Sequence, residues 1–401
     1  MIERTINKKL KRLLKNFPVV LLVGARQVGK TTLVRHLDRN YIVFDDVTQL
    51  NSALNDPSGY INSIKKPVTL DEIQKAPFLM TPIKQFVDNN DSKGLFLLTG
   101  SANVLNIKGN NETLAGRLAE ITLFPFSCKE KIGKPDENPI DILFDSPDNL
   151  ETYYSNERLD EFIINGGYPL AFQKENDIDR ADWFNAYIST YIERDIRLIG
   201  ELRDIDNFIR FYNILMIRSA CLLNKSDIAK SANLNIITVE NYISLLEKIY
   251  QIYLLKPYFS NISKRYIKTP KVYLTDSGLF CHLVNVKTGE DLNKSTYRGA
   301  IYETFVFSEI LKHIKYSEKN YEIYFYRTHE KEELDFILES YGKKLAIEVK
   351  AAQTITIKDF KNIISFQKTV DKNCLGVIFY NGNHTTKFGD NLYAIPLGFL
   401  L

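Results

Sequence analysis

The first third of the chain alternates between short apolar runs and segments with helical spacing. Residues 19–23 (VVLLV) form a continuous apolar run, which a glycine-bounded turn and a helical pattern follow. Three later runs repeat this arrangement: YIVF from Tyr41, PVTL from Pro67 and GLFLL from Gly94. Continuous apolar strands separated by helices are typical of a parallel sheet that is covered on both faces. The pattern therefore predicts an α/β domain over residues 1–130.

The remainder of the chain changes character twice. Residues 128–156 are rich in Pro, Asp, Asn and Ser, which indicates a linker or a surface excursion, and helical patterns follow. From residue 298 a long helix precedes three strand-like runs. We therefore predict a multidomain α/β protein with a parallel-sheet core, a helical middle region and a carboxy-terminal α/β domain. The expected boundaries are residues 1–130, 131–200 (linker and helical lid), 201–290 and 291–401.

Composition narrows the class of protein without identifying a partner. Charged residues make up 25% and hydrophobic residues 44% of the 401 residues, which is ordinary for a globular protein. Lys and Arg (52) nearly balance Asp and Glu (49), so a surface for nucleic acid would have to be local. The four cysteines are scattered, and no apolar run approaches the roughly twenty residues that span a bilayer. We expect a cytoplasmic protein without membrane contact, disulfide bonds or a zinc site.

A phosphate-binding loop is the strongest functional motif. Residues 24–31 (GARQVGKT) satisfy the G-x-x-x-x-G-K-[ST] pattern between a predicted buried strand and a helix. The glycines let backbone N–H groups surround phosphate oxygens, and the next helix presents its positive end to the same anion. Lys30 can reach the β- and γ-phosphates, and the Thr31 hydroxyl can bind Mg²⁺. The predicted nucleotide-binding residues are Gly24, Ala25, Arg26, Gln27, Val28, Gly29, Lys30, Thr31 and Thr32.

Polar residues also follow two later strands. The strand at residues 68–70 ends in Asp71 and Glu72, and the carboxyl ends of parallel strands face the nucleotide crevice. We predict that Asp71 holds Mg²⁺ through water and that Glu72 is the general base that activates the attacking water. Ser101 or Asn103, after the next strand, is a candidate sensor of the γ-phosphate, although an ordinary turn fits this stretch equally well.

The middle region contains a predicted helix-turn-helix. Ser226 is a candidate cap for a helix over residues 227–232, and a second helix is expected over residues 238–249. Residues that could face a DNA groove are Asn235, Thr238, Asn241 and Tyr242. A basic cluster in the hairpin that would form a wing comprises Lys264, Arg265, Tyr266, Lys268 and Lys271. Because Glu240 and Glu247 would repel phosphates, a protein-interaction module is the alternative.

The carboxy-terminal region brings together acids and a lysine. Glu348 and Lys350 are two positions apart on a predicted strand, so both lie on one face. Asp335 interrupts an earlier apolar run, and a turn at residues 341–342 would pair that run with the strand of Glu348 and Lys350. Glu303 lies on the apolar face of the preceding helix. We predict that Asp335 and Glu348 bind Mg²⁺ or Mn²⁺, that Glu303 assists the metal through water, and that Lys350 activates water for phosphodiester hydrolysis. An inactive scaffold whose charges pair with each other is the alternative.

Several of these segments resemble a known protein family. GARQVGKTTL, VTLDEIQ, LLTGSAN and LAGRL are similar to the signature segments of a family of prokaryotic AAA-type ATPases, and YIERDI and KTPKVYLTDSGL also look like family segments. Members join the ATPase to a winged-helix region and to a carboxy-terminal domain of unknown function that resembles PD-(D/E)XK nucleases. The pattern of Glu303, Asp335, Glu348 and Lys350 resembles that nuclease core. The resemblance covers nearly the whole chain.

The resemblance implies ATP binding and a role for Arg117 as an arginine finger. Arg117, in LAGRL, would neutralise charge in the site of a neighbouring subunit, which requires a homo-oligomer. From spacing alone, a surface arginine fits this position nearly as well. Arg194 and Arg197 are candidates for a second arginine sensor.

These observations lead to one main functional hypothesis and two rivals. The main hypothesis is an ATP-hydrolysing AAA-type ATPase, with ATP and Mg²⁺ as cofactors, that couples nucleotide state to a DNA-binding, nuclease-like half. The first rival is an ATP-gated protein-interaction regulator with an inactive nuclease-like fold. The second is a nuclease for which ATP is only an activator.

Overall fold

The computed structural model of the chain describes residues 2–100, 114–192, 204–261, 265, 268–328, 330 and 332–401. Two compact units divide the chain. The amino-terminal unit consists of Arg4–Pro125 and the short segment Lys248–Tyr250, and the carboxy-terminal unit is built mainly from Phe126–Glu247 and Gln251–Leu401. The predicted multidomain α/β class is confirmed, because one unit contains a parallel sheet and the other contains a separate mixed sheet.

A five-stranded parallel sheet with the order β2-β3-β4-β1-β5 organises the amino-terminal unit. Its strands are β1 (Val19–Val23), β2 (Asn40–Val43), β3 (Val68–Asp71), β4 (Phe96–Thr99) and β5 (Leu118–Thr122). Every residue of β1, β3 and β4 is buried, as expected for continuous apolar strands that are covered on both faces. Since β1 lies between β4 and β5, its carboxyl end opens at the reversal of strand order, where open α/β sheets bind ligands.

The helices of this unit are α1 (Ile6–Asn16), α2 (Lys30–Arg35), α3 (Val47–Asn55), α4 (Pro57–Ser63) and α5 (Met80–Asp88). Aspartates cap two of them: Asp46 accepts the N–H of Thr48 at the start of α3, and Asp56 accepts the N–H of Gly59 at the start of α4. Apolar residues of β1, β3, β4 and the helices form one buried cluster, against which Tyr250 also packs.

Helices occur along most of the carboxy-terminal unit. They are α6 (Cys128–Lys131), α7 (Pro139–Asp145), α8 (Leu159–Asn165), α9 (Pro169–Phe172), α10 (Asp177–Ala186), α11 (Ile205–Met216), α12 (Lys225–Ala232), α13 (Ile236–Lys248), α14 (Ser277–Leu283), α15 (Gly289–Lys294), α16 (Arg298–Tyr316) and α17 (Lys361–Thr369), with a π-helical turn at Tyr187–Ile192. Within the described part of the chain, no helix has the length and apolar character that a membrane span requires.

The described residues of this unit form two sheets. The three-stranded sheet, ordered β6-β8-β7, contains β6 (Cys221–Leu222), β7 (Ile252–Leu255) and β8 (Lys271–Leu274). The six-stranded sheet, ordered β13-β14-β12-β11-β10-β9, contains β9 (Glu322–Arg327), β10 (Glu333–Ser340), β11 (Lys343–Lys350), β12 (Leu375–Tyr380), β13 (Thr386–Gly389) and β14 (Leu392–Pro396). β10 and β11 form the predicted hairpin, and its turn uses positive φ angles at Tyr341 (47°) and Gly342 (80°).

The predicted helix pair of the middle region is present as α12 and α13, but both helices begin earlier than expected. Asn224, rather than Ser226, caps α12, because its side chain accepts the N–H of Asp227 at 3.0 Å. The second helix begins at Ile236 instead of Thr238. The joint between them contains Asn233 in the left-handed conformation, which asparagine tolerates better than most residues.

Candidate functional site

The loop between β1 and α2 has the backbone conformation that its glycines allow. Gly24 and Gly29 have φ angles of 146° and 96°, and Gln27 between them also has a positive φ of 63°. A Cβ atom on Gly24 would lie 2.2 Å from the carbonyl oxygen of Leu123, so a larger residue cannot occupy this position without moving the backbone. These constraints explain why the motif needs glycine at both ends.

Lys30 begins α2 and directs its ammonium group to the inside of this loop. The side chain is buried, and Nζ donates hydrogen bonds to the carbonyl oxygens of Gly24 (2.9 Å) and Ala25 (2.8 Å). The lysine therefore lies against the segment whose backbone would surround a phosphate. Of the other predicted loop residues, Val28 is buried, whereas Thr32 is exposed on α2.

Arg4 contacts the loop through its side chain, a role that no sequence pattern indicated. Its side chain is buried; Nη1 donates to the carbonyl oxygen of Val28 at 2.9 Å, and Nη2 donates to that of Phe124 at 2.5 Å. The two acceptors belong to the loop and to the segment after β5, so one guanidinium group joins them. A bidentate donor of this kind restricts the position of the loop.

Asp71 is the polar centre at the carboxyl ends of the strands. Its Oδ2 accepts hydrogen bonds from the hydroxyls of Thr31 (2.9 Å) and Tyr41 (2.5 Å), and its Oδ1 accepts one from the hydroxyl of Thr99. Burial and the hydrogen bond to Asp71 raise the pKa of Tyr41 to about 12. The predicted proximity of Thr31 and Asp71 is thus present, whereas Tyr41 and Thr99 were not identified from the sequence as neighbours of the carboxylate.

Glu72 follows Asp71 in an unusual backbone conformation. Its φ and ψ angles of 59° and 41° are left-handed, which costs energy for a residue other than glycine and is often associated with functional sites. Its N–H donates to the Thr99 hydroxyl at 3.3 Å, and its carboxylate accepts a hydrogen bond from the side-chain amide of Gln74. The carboxylates of the consecutive residues Asp71 and Glu72 therefore have different hydrogen-bond partners. Ser101 and Asn103 lie outside the described residues, as do Arg194 and Arg197.

Arg117 lies at the amino ends of the strands, whereas the loop lies at their carboxyl ends. It immediately precedes β5, whose Leu118 pairs with Val19 at the start of β1, whereas the loop follows the end of β1. The guanidinium group forms an ion pair with Asp88 and donates to the carbonyl oxygen of Ala115 at 3.1 Å. Asp88, at the end of α5, is thus a carboxylate partner of Arg117 that was not identified from the sequence.

The predicted DNA-facing surface of the middle region is only partly exposed. Tyr242 is buried, with its ring 5.3 Å from that of Phe208 and 5.2 Å from that of Phe211, so the prediction that it faces a groove is wrong. The apolar face of α13 includes this ring because it packs on α11. Asn235 accepts the N–H of Thr238 at 2.7 Å and so caps the helix.

The predicted basic wing is also not an open cationic surface. Arg265 is buried, and its guanidinium carbon lies 4.6 Å and 4.5 Å from the ring centres of Tyr258 and Tyr324. Lys271 is the first residue of β8 and is buried, so its assignment to an exposed wing is wrong. Lys268 is exposed, and Lys264 and Tyr266 lie outside the described residues.

Lys271 instead lies in a buried acidic cluster. Glu303 on α16 points inward, as its helical spacing predicted, and its Oε1 accepts hydrogen bonds from Lys271 Nζ (3.1 Å) and the Tyr273 hydroxyl (2.5 Å). Lys271 Nζ also lies 2.5 Å from Oε1 of Glu333, at the start of β10. Side chains from β8, α16 and β10 therefore meet at one ammonium group.

The predicted metal ligands on β10 and β11 are also engaged with protein donors. Asp335 Oδ2 accepts the backbone N–H of Val349 at 2.8 Å. The buried Glu348 accepts Lys350 Nζ at 2.8 Å through one oxygen and the side-chain amide of Asn362 at 3.1 Å through the other. This pairing of Glu348 with Lys350 is the arrangement expected of a charge-paired scaffold.

Electrostatic effects connect these groups. Burial, together with the charges of Glu303 and Glu348, raises the pKa of Asp335 well above its ordinary value. Burial also raises the pKa of Glu303, although Lys271 opposes this change. Burial by itself would lower the pKa of Lys271, but the charges of Glu303, Asp335 and Glu333 outweigh burial and raise it. The ammonium group is therefore held in its charged form by the surrounding acids.

The acids do not fit the divalent metal predicted for them. Mg²⁺ and Mn²⁺ need several oxygen ligands that converge on one point. Among the described residues, no group of three or more His, Cys, Asp or Glu side chains could hold a metal ion. Glu303 is bonded to Lys271, and Asp335 and Glu348 are bonded to other protein groups. The arrangement therefore does not support a metal centre formed by Glu303, Asp335 and Glu348.

Comparison with known families agrees with the geometry of the loop. Residues 16–132 match a protein family described as an AAA domain. The match supports an AAA-type P-loop ATPase domain in this segment. Residues 156–290 and 298–400 match two families described as domains of unknown function, DUF8612 and DUF4143. The ATPase part of the predicted resemblance is confirmed, and the winged-helix and nuclease-like parts stay predictions.

The proteins that the chain resembles over most of its length carry little functional information. Over 397 residues the chain is 26% identical to two uncharacterised proteins, one from Mycobacterium bovis and one from Mycobacterium tuberculosis, and the alignment covers 98% of this chain and 83% of each relative. A solved assembly of McrB AAA+ hexamers with bound McrC, from Thermococcus gammatolerans, shares 10% identity over 70% of this chain and 74% of that chain. Its TM-score of 0.23 is too low to support a conclusion about the fold.

Proposed function

We propose that the AAA domain binds Mg²⁺-ATP and hydrolyses it to drive a change in the rest of the protein. The observation that carries this proposal is the meeting of Lys30, Thr31 and Asp71 at the carboxyl ends of the parallel strands. A lysine on the inside of a glycine-bounded loop can neutralise phosphate charge, and a hydroxyl beside a carboxylate can hold Mg²⁺. The loop, the hydroxyl and the acid are the parts that phosphoryl transfer requires.

Each residue has a specific role in this proposal. The backbone of residues 24–29 surrounds the β-phosphate, and Lys30 moves from the loop carbonyls to the β- and γ-phosphates. Thr31 would bind Mg²⁺, and Asp71 would hold it through water. When bound, Mg²⁺ neutralises charge on the phosphate oxygens. Glu72 takes a proton from the water that attacks the γ-phosphate, and Gln74, which donates to its carboxylate, orients it.

Arg117 acts in the site of a neighbouring copy of the chain. It lies at the amino ends of the strands, away from the loop of its own subunit, so it can approach a γ-phosphate only across a subunit interface. Its partner Asp88 holds the side chain in place until the interface forms. The proposal therefore includes a homo-oligomer that hydrolyses ATP at its subunit contacts.

Replacement of Glu72 by Gln tests the proposed hydrolysis. We expect Glu72→Gln to bind ATP as the wild type does, because the loop is unchanged, and to release phosphate roughly 10²- to 10⁴-fold more slowly. Glu120→Gln, which changes an exposed acid of β5, is the matched control and should hydrolyse at the wild-type rate. Unchanged phosphate release in Glu72→Gln would show that Glu72 is not the base.

We further propose that the nucleotide state gates a protein-interaction surface rather than a nuclease. Ile236 and Ile237 are exposed at the start of α13 (46% and 71%), where apolar side chains suit a protein partner better than a phosphate backbone. Glu240 on the same helix pairs with Lys225 at 2.8 Å, which removes a cation from the surface offered to DNA. DNA binding and cleavage remain the competing proposal.

The competing proposal makes a different prediction for DNA cleavage. The protein is incubated with Mn²⁺ and linear, circular or single-stranded DNA, with and without ATP, beside a Lys350→Ala variant. A protein-interaction regulator should cleave none of these substrates more than the variant does. Cleavage that disappears in Lys350→Ala would favour the nuclease and contradict the regulator.

A further inference from the structure

The side chain of Lys271 is one of the most deeply buried charges described in the carboxy-terminal unit. It is 3% exposed, and its ammonium group lies 3.1 Å from Glu303 Oε1 and 2.5 Å from Glu333 Oε1. β8 holds it from both sides, because Lys271 pairs with Leu222 of β6 and with Leu255 of β7. The position of the ammonium group is therefore fixed by a strand in the middle of a sheet.

A buried ammonium group is stable only if carboxylates surround it. Transfer of an unpaired charge into the protein interior is very unfavourable, whereas two or more opposite charges at hydrogen-bonding distance compensate for it. Lys271 has Glu303 and Glu333 in direct contact, and the charge of Asp335 acts on it as well. One cation thus faces three acids, two of which were predicted from the sequence to serve a metal.

We propose that Lys271 is the resident cation of this acidic cluster and occupies the place that a divalent metal would take. The ammonium group supplies positive charge among the acids and donates hydrogen bonds to them, so the carboxylates no longer need Mg²⁺ or Mn²⁺ for neutralisation. The oxygens of the remaining acids are also engaged, Asp335 by the Val349 N–H and Glu348 by Lys350 and Asn362. The cluster therefore stabilises the fold without a metal ion.

This arrangement joins three elements that are distant in sequence. Lys271 begins β8, Glu303 lies in the interior of α16, and Glu333 begins β10. Tyr273, two residues after Lys271 on the same strand, donates a second hydrogen bond to Glu303. Two side chains of β8 therefore donate to one oxygen of Glu303 on α16, and the ammonium group also contacts Glu333 on the six-stranded sheet. The inference does not depend on ATP hydrolysis.

Binding of Mn²⁺ alone to the nucleotide-free full-length chain tests the proposal. Isothermal titration of the wild type and of Asp335→Asn should give the same heat, because the cluster of the wild type binds no metal. Lys271→Met removes the cation and nearly keeps the volume of the side chain, so this variant should gain a Mn²⁺ site. The double variant Lys271→Met/Asp335→Asn should lose that site again. Lys344→Met is the matched control, because Lys344 also lies between two acids, Glu339 and Asp371, outside the cluster.

Stability provides a second readout that does not depend on metal. Removal of one partner from a buried charge cluster is strongly destabilising, so the melting temperature of Lys271→Met should fall by roughly 5–10 °C, and that of Lys344→Met by less. Addition of Mn²⁺ should raise the melting temperature of Lys271→Met part of the way back, and should not raise that of Lys344→Met.

Two results would overturn the proposal. If the wild type binds Mn²⁺ and Asp335→Asn does not, the cluster holds a metal ion in the presence of Lys271. The absence of any Mn²⁺ site in a folded Lys271→Met would show that the ammonium group does not take the place of a metal. If Lys271→Met does not fold, the comparison of wild type with Asp335→Asn still decides whether metal enters the cluster.

Discussion

The hydroxyl of Thr31 donates a hydrogen bond of 2.9 Å to the carboxylate of Asp71, forty residues later in the chain. The two residues belong to different sequence motifs, one at the start of α2 and the other at the end of β3. They meet because parallel strands end at the same edge of the sheet, so the loop after β1 and the acid after β3 open into one crevice. In the proposed function, this contact would join the loop that holds phosphate to the residues that hold Mg²⁺.

Removal of the Thr31 hydroxyl should weaken binding of ATP specifically in the presence of Mg²⁺. An interaction with a charged group is worth about 1.5–3 kcal/mol, so Thr31→Ala should bind Mg²⁺-ATP roughly ten- to a hundredfold more weakly. Thr31→Ser keeps a hydroxyl and should retain most of the affinity. Titration with and without Mg²⁺ measures the effect, and an equal loss of affinity in both conditions would assign a structural role to Thr31.

Arg117 should complement a defect in the site of a neighbouring subunit. Both Lys30→Ala and Arg117→Ala should hydrolyse ATP slowly as pure proteins, and loss of an arginine finger lowers turnover by roughly a thousandfold. In a mixture, Arg117→Ala subunits supply an intact loop and Lys30→Ala subunits supply an intact arginine. Phosphate release should therefore exceed the sum of the two separate proteins.

The mixing experiment also separates the two interpretations of Arg117. An arginine that acted within its own subunit would give no recovery on mixing, and a surface arginine would leave the activity of Arg117→Ala unchanged. Either outcome contradicts the proposed intersubunit site. Sedimentation of the mixture with ATP shows whether oligomers form.

The stability of the carboxy-terminal unit should depend on pH through His313. This residue of α16 is fully buried, and burial lowers its pKa from 6.5 to about 4, even though Glu309 raises it. The groups that face it are Glu309, Lys312 and Lys129. His313 takes up a proton more readily in the unfolded chain than in the folded chain. Its contribution to the free energy of unfolding is therefore complete above pH 6.5 and is lost as the pH falls towards 4.

The size of this effect follows from the pKa difference. Between pH 7 and pH 5 the wild type should lose about 2 kcal/mol of unfolding free energy through His313, because each pKa unit corresponds to about 1.4 kcal/mol. His313→Leu removes the titrating group and should lose less over the same range. Denaturant unfolding at the two pH values measures both proteins, and identical losses would show that His313 does not control acid stability.

The sequence predicted those features that depend on local pattern. Continuous apolar runs predicted the strands of the parallel sheet, and the glycine spacing predicted the loop whose positive φ angles the structure contains. The alternation along β11 placed Glu348 and Lys350 on one face, where they form an ion pair. In each case the chemistry of a few neighbouring residues determines the structure, so a short window of sequence is sufficient.

The features that were missed depend on contacts between distant segments. Arg4 supports a loop that begins twenty residues later and contacts Phe124, 120 residues away. Lys271 was assigned to a basic wing because it follows other cations, but its surroundings are set by Glu303, 32 residues later. Such pairs result from the register of strands and the packing of helices, which local spacing does not encode. The burial of Tyr242 by α11 has the same origin.

Calorimetric titration of the full-length protein with Mg²⁺-ATP tests the central claim most directly. The wild type should bind ATP, and Lys30→Ala should bind it at least about tenfold more weakly, because a charged hydrogen bond to phosphate is lost. Lys93→Ala, which removes an exposed lysine of the same unit, should bind as the wild type does. No heat of binding with ATP in the folded wild type, or equal affinity in Lys30→Ala and the wild type, would contradict the account.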